Sequence, residues 1–236
     1  MLPSKYEQRA RLRPGLLLLL PIGLTLAILG VDQRSLISTT SALLMVTGGP
    51  LVLMPLVSSA GRRLEPRLHK KWGGTPSNQL LRICSHEESL QQREVWRSSI
   101  EKVTGLQLAT EDVEARNLTE ADLVIKSAFG QVRYIGQDES RYPVVSAENA
   151  QYGFERNLFA IRHLGRAIST ACLIIFGSLW LAGVIPVATA ILGALGNLLL
   201  LMAWVIVPSE RRTREAGFRY ATQLLNTVAR MAREGK

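Results

Sequence analysis

Cysteine and histidine are scarce, with two of one and three of the other in 236 residues. Cys84 stands in a polar segment and Cys172 in an apolar one, so no disulfide framework is expected. His69, His86 and His163 lie in separate segments without metal-ligand spacing. A phosphate-cradling glycine loop, a paired-histidine motif and a nucleophile elbow are also missing. The chain therefore reads as a non-enzyme with no metal and no cofactor.

The most informative lack is of charge. Positions 167–207 carry no charged side chain, and neither do positions 14–31. A membrane crossing takes about 20 apolar residues. The C-terminal run is too long for one helix and fits two, with a turn near Gly183 to Pro186. At the other end Asp32, Gln33 and Arg34 separate the first run from a second, Leu36 to Val57. The expected fold is an all-α integral membrane protein, with two transmembrane hairpins flanking a cytoplasmic helical domain and a C-terminal amphipathic helix. Its boundaries are a basic N-terminus at 1–13, a hairpin at 14–57, the helical domain at 58–166, a second hairpin at 167–207 and the amphipathic helix at 208–236. The first span has a basic start like a secretory signal, but no small-x-small cleavage site follows it, and it reads as an uncleaved anchor.

Lys and Arg near span ends are retained on the cytoplasmic side. Of 28 such residues, only Arg34 falls in a loop assigned to the outside. Both termini and the middle domain are thus expected in the cytoplasm, at a bacterial inner membrane. The net charge of +9 does not indicate nucleic acid, because positions 61–166 hold sixteen basic and fourteen acidic residues. The surplus gathers at membrane-proximal edges: Arg62, Arg63, Arg67, Lys70 and Lys71 on one side, Arg156, Arg162 and Arg166 on the other, with Arg211, Arg212 and Arg214 after the last span. There each cation is drawn to anionic lipid by about 1 kcal/mol. The partners expected are membrane lipids, further copies of the chain and a cytosolic protein.

The middle domain reads as helical. Thr75 before Pro76 suits an N-cap with proline at the first helical position. Ser85 with Glu88 reads as a capping box, and Gly105 closes the helix after it, whose stripe is Leu90, Trp96, Ile100 and Val103. Thr119 and Asp122 open a helix on which Ala121, Ile125, Ala128, Phe129, Val132 and Ile135 hold a 3.6 period. A helix from Ser146 carries Tyr152, Phe154, Leu158 and Ile161 toward the third span, where Gly153 and Gly165 act as hinges or Gly165 only permits a kink at the membrane surface. From Ser209 to Glu234, Phe218, Ala221, Leu224, Leu225, Val228 and Met231 share one face. That face is expected to pack on the middle domain; the interface and a self-assembled coil are the alternatives.

Polar groups within the spans are the next candidates. Asn197 lies beside Gly193 and Gly196 in the fourth span, and Thr40 and Thr47 share a face of the second. They line a path in an oligomer or pack helices together. No acid or base sits within a span, which argues against a proton-coupled carrier or a voltage sensor.

Arg156, Asn157 and His163, an arginine, a polar residue and a histidine on one helix, resemble the Arg-to-His motif of HEPN-type ribonucleases. That resemblance implies cleavage of RNA across a dimer. The segments KWGGTPSNQLLR (Lys71 to Arg82) and ENAQYGFERNLFAIRHLGR (Glu148 to Arg166) resemble parts of small uncharacterised bacterial membrane proteins, which implies a bacterial inner-membrane address and no activity. Trp72, Tyr152, Phe154, Arg156 and Asn157 are the candidate surface for a partner or ligand. The leading expectation is a membrane effector or channel-like protein whose cytoplasmic domain senses a signal and alters an oligomeric bundle. Its anti-phage context rests on analogy with two-part membrane effectors. The alternatives are a non-conducting scaffold that recruits a cytosolic partner, and the HEPN-like nuclease.

Overall fold

The computed structural model describes residues 4–32 and 36–235, with side chains described outside 31–47. Among the described residues the chain is helical and has no strand. A short turn, α1 (Lys5–Glu7), and a π-helical turn (Gln8–Leu12) lead into α2 (Arg13–Asp32). There follow α3 (Leu36–Trp72), α4 (Pro76–Leu81), α5 (Leu90–Thr104), α6 (Glu111–Arg116) and α7 (Leu118–Val132). After a 3-10 turn (Arg133–Gly136) come α8 (Pro143–Leu181), α9 (Val187–Ile206) and α10 (Glu210–Glu234). These helices form two compact units. One holds the chain to Leu64 together with Gly153–Glu210, and the other holds Glu65–Tyr152 with the chain from Arg211. α3 and α8 contribute to both.

Three stretches among the described residues are long and apolar enough to cross a membrane: Lys5–Gly30, Pro143–Leu181 and Val187–Ile206. The expected span at 36–57 falls within α3, but Thr40 and Thr47 lie outside the residues whose side chains are described. The helix read from Ser146 starts earlier, with Pro143 as its first residue and Ser146 N bonded to Tyr142 O at 3.0 Å, and α8 is continuous through Gly153 and Gly165. In the first unit Leu18, Val57, Leu158, Ile161 and Trp204 form one buried cluster, and Phe176, Ile185 and Ala190 another. The outer face is apolar as well. Leu181 is 79% exposed, Leu199 67% and Ile206 69%, a surface suited to hydrocarbon rather than to water.

Helix ends and prolines leave backbone groups without intrahelical partners. α8 ends at Leu181 and the turn after it holds Gly183, whose φ of 70° is open to glycine; the Gly183 N–H bonds Trp180 O and that of Val184 bonds Leu179 O, both at 2.9 Å. At the end of α9 the Arg166 guanidinium serves the last carbonyls, donating to Trp204 O at 3.1 Å and Val205 O at 3.4 Å. Near the N-terminus, Pro14 lacks the N–H that an α-helix would aim at the Ala10 carbonyl. Asn157 Nδ2 supplies a donor there, 2.7 Å from Ala10 O.

In the second unit Trp96, Ile100, Ile125, Val132 and Ile135 pack with Leu224, Leu225 and Val228 of α10. Each such side chain contributes about 1.5–3 kcal/mol by leaving water. The tail helix is therefore part of this core, and Trp96 Nε1 donates to Asn226 Oδ1 at 2.9 Å. Thr75 caps α4 and Gly105 ends α5 in the left-handed conformation, as the sequence indicates.

Three further local expectations need correction. α5 is capped by Ser89, which accepts from Gln92 N, and Ser85 lies in the loop before it. Leu90 is 59% exposed, and Arg93 occupies the buried face instead. α7 is capped by Asn117 rather than opened at Thr119.

The first two corrections share a cause. The loop before α5 is held by buried charges: Arg93 donates to the carbonyls of Ile83, Ser85 and Glu88. From the other side the enclosed Glu114 carboxylate accepts the N–H groups of Ile83 at 2.9 Å and Cys84 at 3.1 Å. Arg97 bridges Leu81 O and Ala109 O. Burial pushes its guanidinium below the ordinary value, with Glu101 and Glu114 opposing.

Candidate functional site

The second unit contains a cleft of about 460 Å³, within the range of small-molecule sites, about 300–1,000 Å³. Local sequence explains its walls. α3 ends where Gly73 and Gly74 take φ of 82° and 141°, and Gly74 N closes back on His69 O at 2.9 Å. Pro76 then starts α4 across the turn. Glu65 and His69 thereby sit one helical turn apart at the end of α3. Phe129 comes from α7, Tyr152 from the start of α8, and Gly217 and Tyr220 from α10.

Tyr152 organises the site. Its hydroxyl donates to Glu65 Oε1 at 2.8 Å and lies 3.3 Å from His69 Nε2; His69 Nε2 is 4.0 Å from the same carboxylate oxygen. Its ring rests on α10, where Gly217 leaves the space: a Cβ there would stand 3.2 Å from Tyr152 Cε2 and 3.1 Å from Pro76 Cγ. One turn on, Tyr220 lies nearly parallel to Tyr152, with centroids 6.5 Å apart, and meets Phe129 edge-on at 6.4 Å. Lys126 and Arg133 complete the lining on the same stripe of helix as Phe129.

A second concavity, about 580 Å³, includes Trp72, Arg82, Cys84, His86 and Glu114. Arg82 is tied down there. It pairs with Asp122 through two contacts of 2.8 and 2.6 Å, and the hydrogen bond to Asp122 raises its pKa above the ordinary value. Cys84 is exposed, and among the described residues no cluster of three potential metal ligands occurs.

The remaining residues singled out in the sequence take varied positions. Of the partner-surface set, Tyr152 lines the cleft, Trp72 lines the second concavity and packs 5.7 Å from His69, and Phe154 packs against the first unit's core. Asn157 is enclosed beside Gly61, where a Cβ would stand 1.9 Å from its Oδ1. Arg156 is half-buried at the same place and His163 is exposed, so the three residues of the ribonuclease-like motif do not share an open surface. Among the lipid-headgroup candidates, Arg63, Lys70, Lys71 and Arg212 are exposed. Arg62 bonds Ser58 Oγ at 2.8 Å and Arg211 bonds Glu215 at 2.7 Å. Arg162 covers the Phe159 ring at 3.7 Å, and Arg166 caps α9.

Asn197 is fully enclosed. Its Nδ2 donates to Thr25 Oγ1 of α2 at 3.2 Å and to Gly193 O at 3.0 Å, while Thr25 donates to Pro21 O at 2.8 Å. Gly193 is covered by the Phe176 ring and Gly196 by Leu24. A double-mutant cycle of Thr25→Val and Asn197→Leu tests this seam by thermal unfolding in detergent. The expected coupling is about 0.6 kcal/mol, typical of hydrogen bonds between membrane helices. Strictly additive effects would place the two side chains apart.

Sequence reasoning misses Glu65, His69, Lys126, Phe129, Arg133 and Tyr220 as a group. They come from α3, from α7 and the 3-10 turn after it, and from α10, distant in sequence, and only the glycine one turn before Tyr220 hints at a close approach. No family model matches the chain, and no curated protein or solved structure does so either.

Proposed function

We propose that the chain is a multi-pass protein of a bacterial inner membrane whose second unit faces the cytoplasm and senses a small molecule in the Tyr152 cleft. Occupancy of the cleft changes the state of an oligomeric membrane bundle, as in an effector. The observation that carries this reading is the cleft itself, where Glu65 and His69 on α3 meet Tyr152 on α8. The cleft lies wholly in the second unit, and the helices that carry Glu65, His69 and Tyr152 continue in sequence into the apolar unit. The orientation is supported by the charge asymmetry of the loops.

The test is membrane potential in bacteria expressing the chain from a tight promoter, against Gly217→Leu at matched membrane level. The leucine side chain obstructs the cleft beside Tyr152 and Pro76. The parent and the blocked variant are expected to differ in potential. Equal potentials, both the same as in cells without the chain, would replace the effector with a non-conducting scaffold. The enclosure of Asn197 and the filling of Gly193 by Phe176 favour that second reading.

A further inference from the structure

The cleft combines three kinds of group that select a ligand. Phe129, Tyr152, Pro66 and Pro76 give it apolar walls. At its edge Lys126 and Arg133 are exposed, and among the described residues their side chains make no hydrogen bond or ion pair. Seven positions apart on helical backbone, they stand two turns apart, about 10 Å, on one face. Long side chains from such positions reach a single dianion between them. The third kind is Glu65, a carboxylate that can accept from N–H or O–H groups of a ligand while Tyr152 orients it.

The geometry points to a nucleoside phosphate as the ligand of this cleft, with its phosphate on Lys126 and Arg133, its ring against the aromatic and proline walls, and its hydroxyl or amino donors toward Glu65. A monocarboxylate offers one negative charge to two cations, and inorganic phosphate leaves the apolar walls and Glu65 unused. A phosphate dianion joined to a ring and donor groups uses all three features, and a cavity of about 460 Å³ suits its size. This inference rests on the sensor reading and specifies the ligand of the same site.

The test is equilibrium binding to the purified full chain in detergent, with AMP, GMP and UMP as probes, and adenosine and inorganic phosphate as comparators. At least one nucleotide is expected to bind saturably and more tightly than either comparator. In the double variant Lys126→Glu and Arg133→Glu its affinity should fall at least tenfold, while adenosine binding stays unchanged. Both side chains are exposed, so the variant keeps its thermal melt, which is measured alongside. Failure of all three nucleotides to bind overturns the inference, as does equal affinity for parent and double variant, or tighter binding of inorganic phosphate. These failures remain distinct from failure of the effector reading. If Gly217→Leu alters membrane potential but no nucleotide binds, the ligand class is wrong and the sensor stands. If a nucleotide binds and potential never changes, the reverse holds.

Discussion

Gly193→Ala destabilises the membrane unit by about 1–3 kcal/mol, the usual cost of forcing extra volume into a packed seam. The sign is diagnostic, because glycine to alanine in an unobstructed helix favours the helix by about 1 kcal/mol. At Gly193 a single Cβ would stand 2.2 Å from two carbons of the Phe176 ring, and Phe176 is fully enclosed with little room to retreat. Gly177 on α8 is the matched control, since a Cβ there meets nothing within 4 Å. Thermal unfolding in detergent should therefore show Gly193→Ala melting below the parent and Gly177→Ala at or above it. Parent-like melting of both would mean that α8 and α9 do not approach as described.

Arg93→Met has an effect of comparable size on the second unit, about 3 kcal/mol or more. One buried guanidinium there serves three carbonyls of a loop that has no helical ladder of its own. Methionine keeps much of the side chain's length and leaves those carbonyls without their donor, at about 1–3 kcal/mol for each that stays buried. Part of this is relieved if the loop opens to water. Limited proteolysis should accordingly show cleavage between Arg82 and Ser89 at temperatures where the parent resists. A variant as stable and as protease-resistant as the parent would remove the arginine clamp from the account.

The apolar helices are legible in the sequence because hydrocarbon imposes a composition on every residue of a span, and that signal survives without tertiary knowledge. The buried face of α7 and that of α10 are legible for a related reason: a long amphipathic period is local. The start of α5 is not. Ser85 and Glu88 fit a capping box as well as Ser89 does as a cap, and the choice falls to Arg93, which uses the carbonyls of the preceding loop. Leu90 is exposed for the same reason, since the helix turns a charged side chain inward to hold that loop. The cleft was beyond reach because Glu65, Phe129, Tyr152 and Tyr220 have no common spacing. Asn197 stands out in the sequence as a polar residue in an apolar run, but Thr25, its partner, resembles any small residue of a span.

Pro14 gives the N-terminal helix an unusual dependence on time. The chain emerges from the ribosome in order, so the Ala10 carbonyl exists long before Asn157, the side chain that donates to it from 147 positions later. Thr25 likewise waits for Asn197, 172 positions on. The helix made first thus holds a carbonyl and a hydroxyl oxygen whose side-chain partners are translated only 147 and 172 positions later.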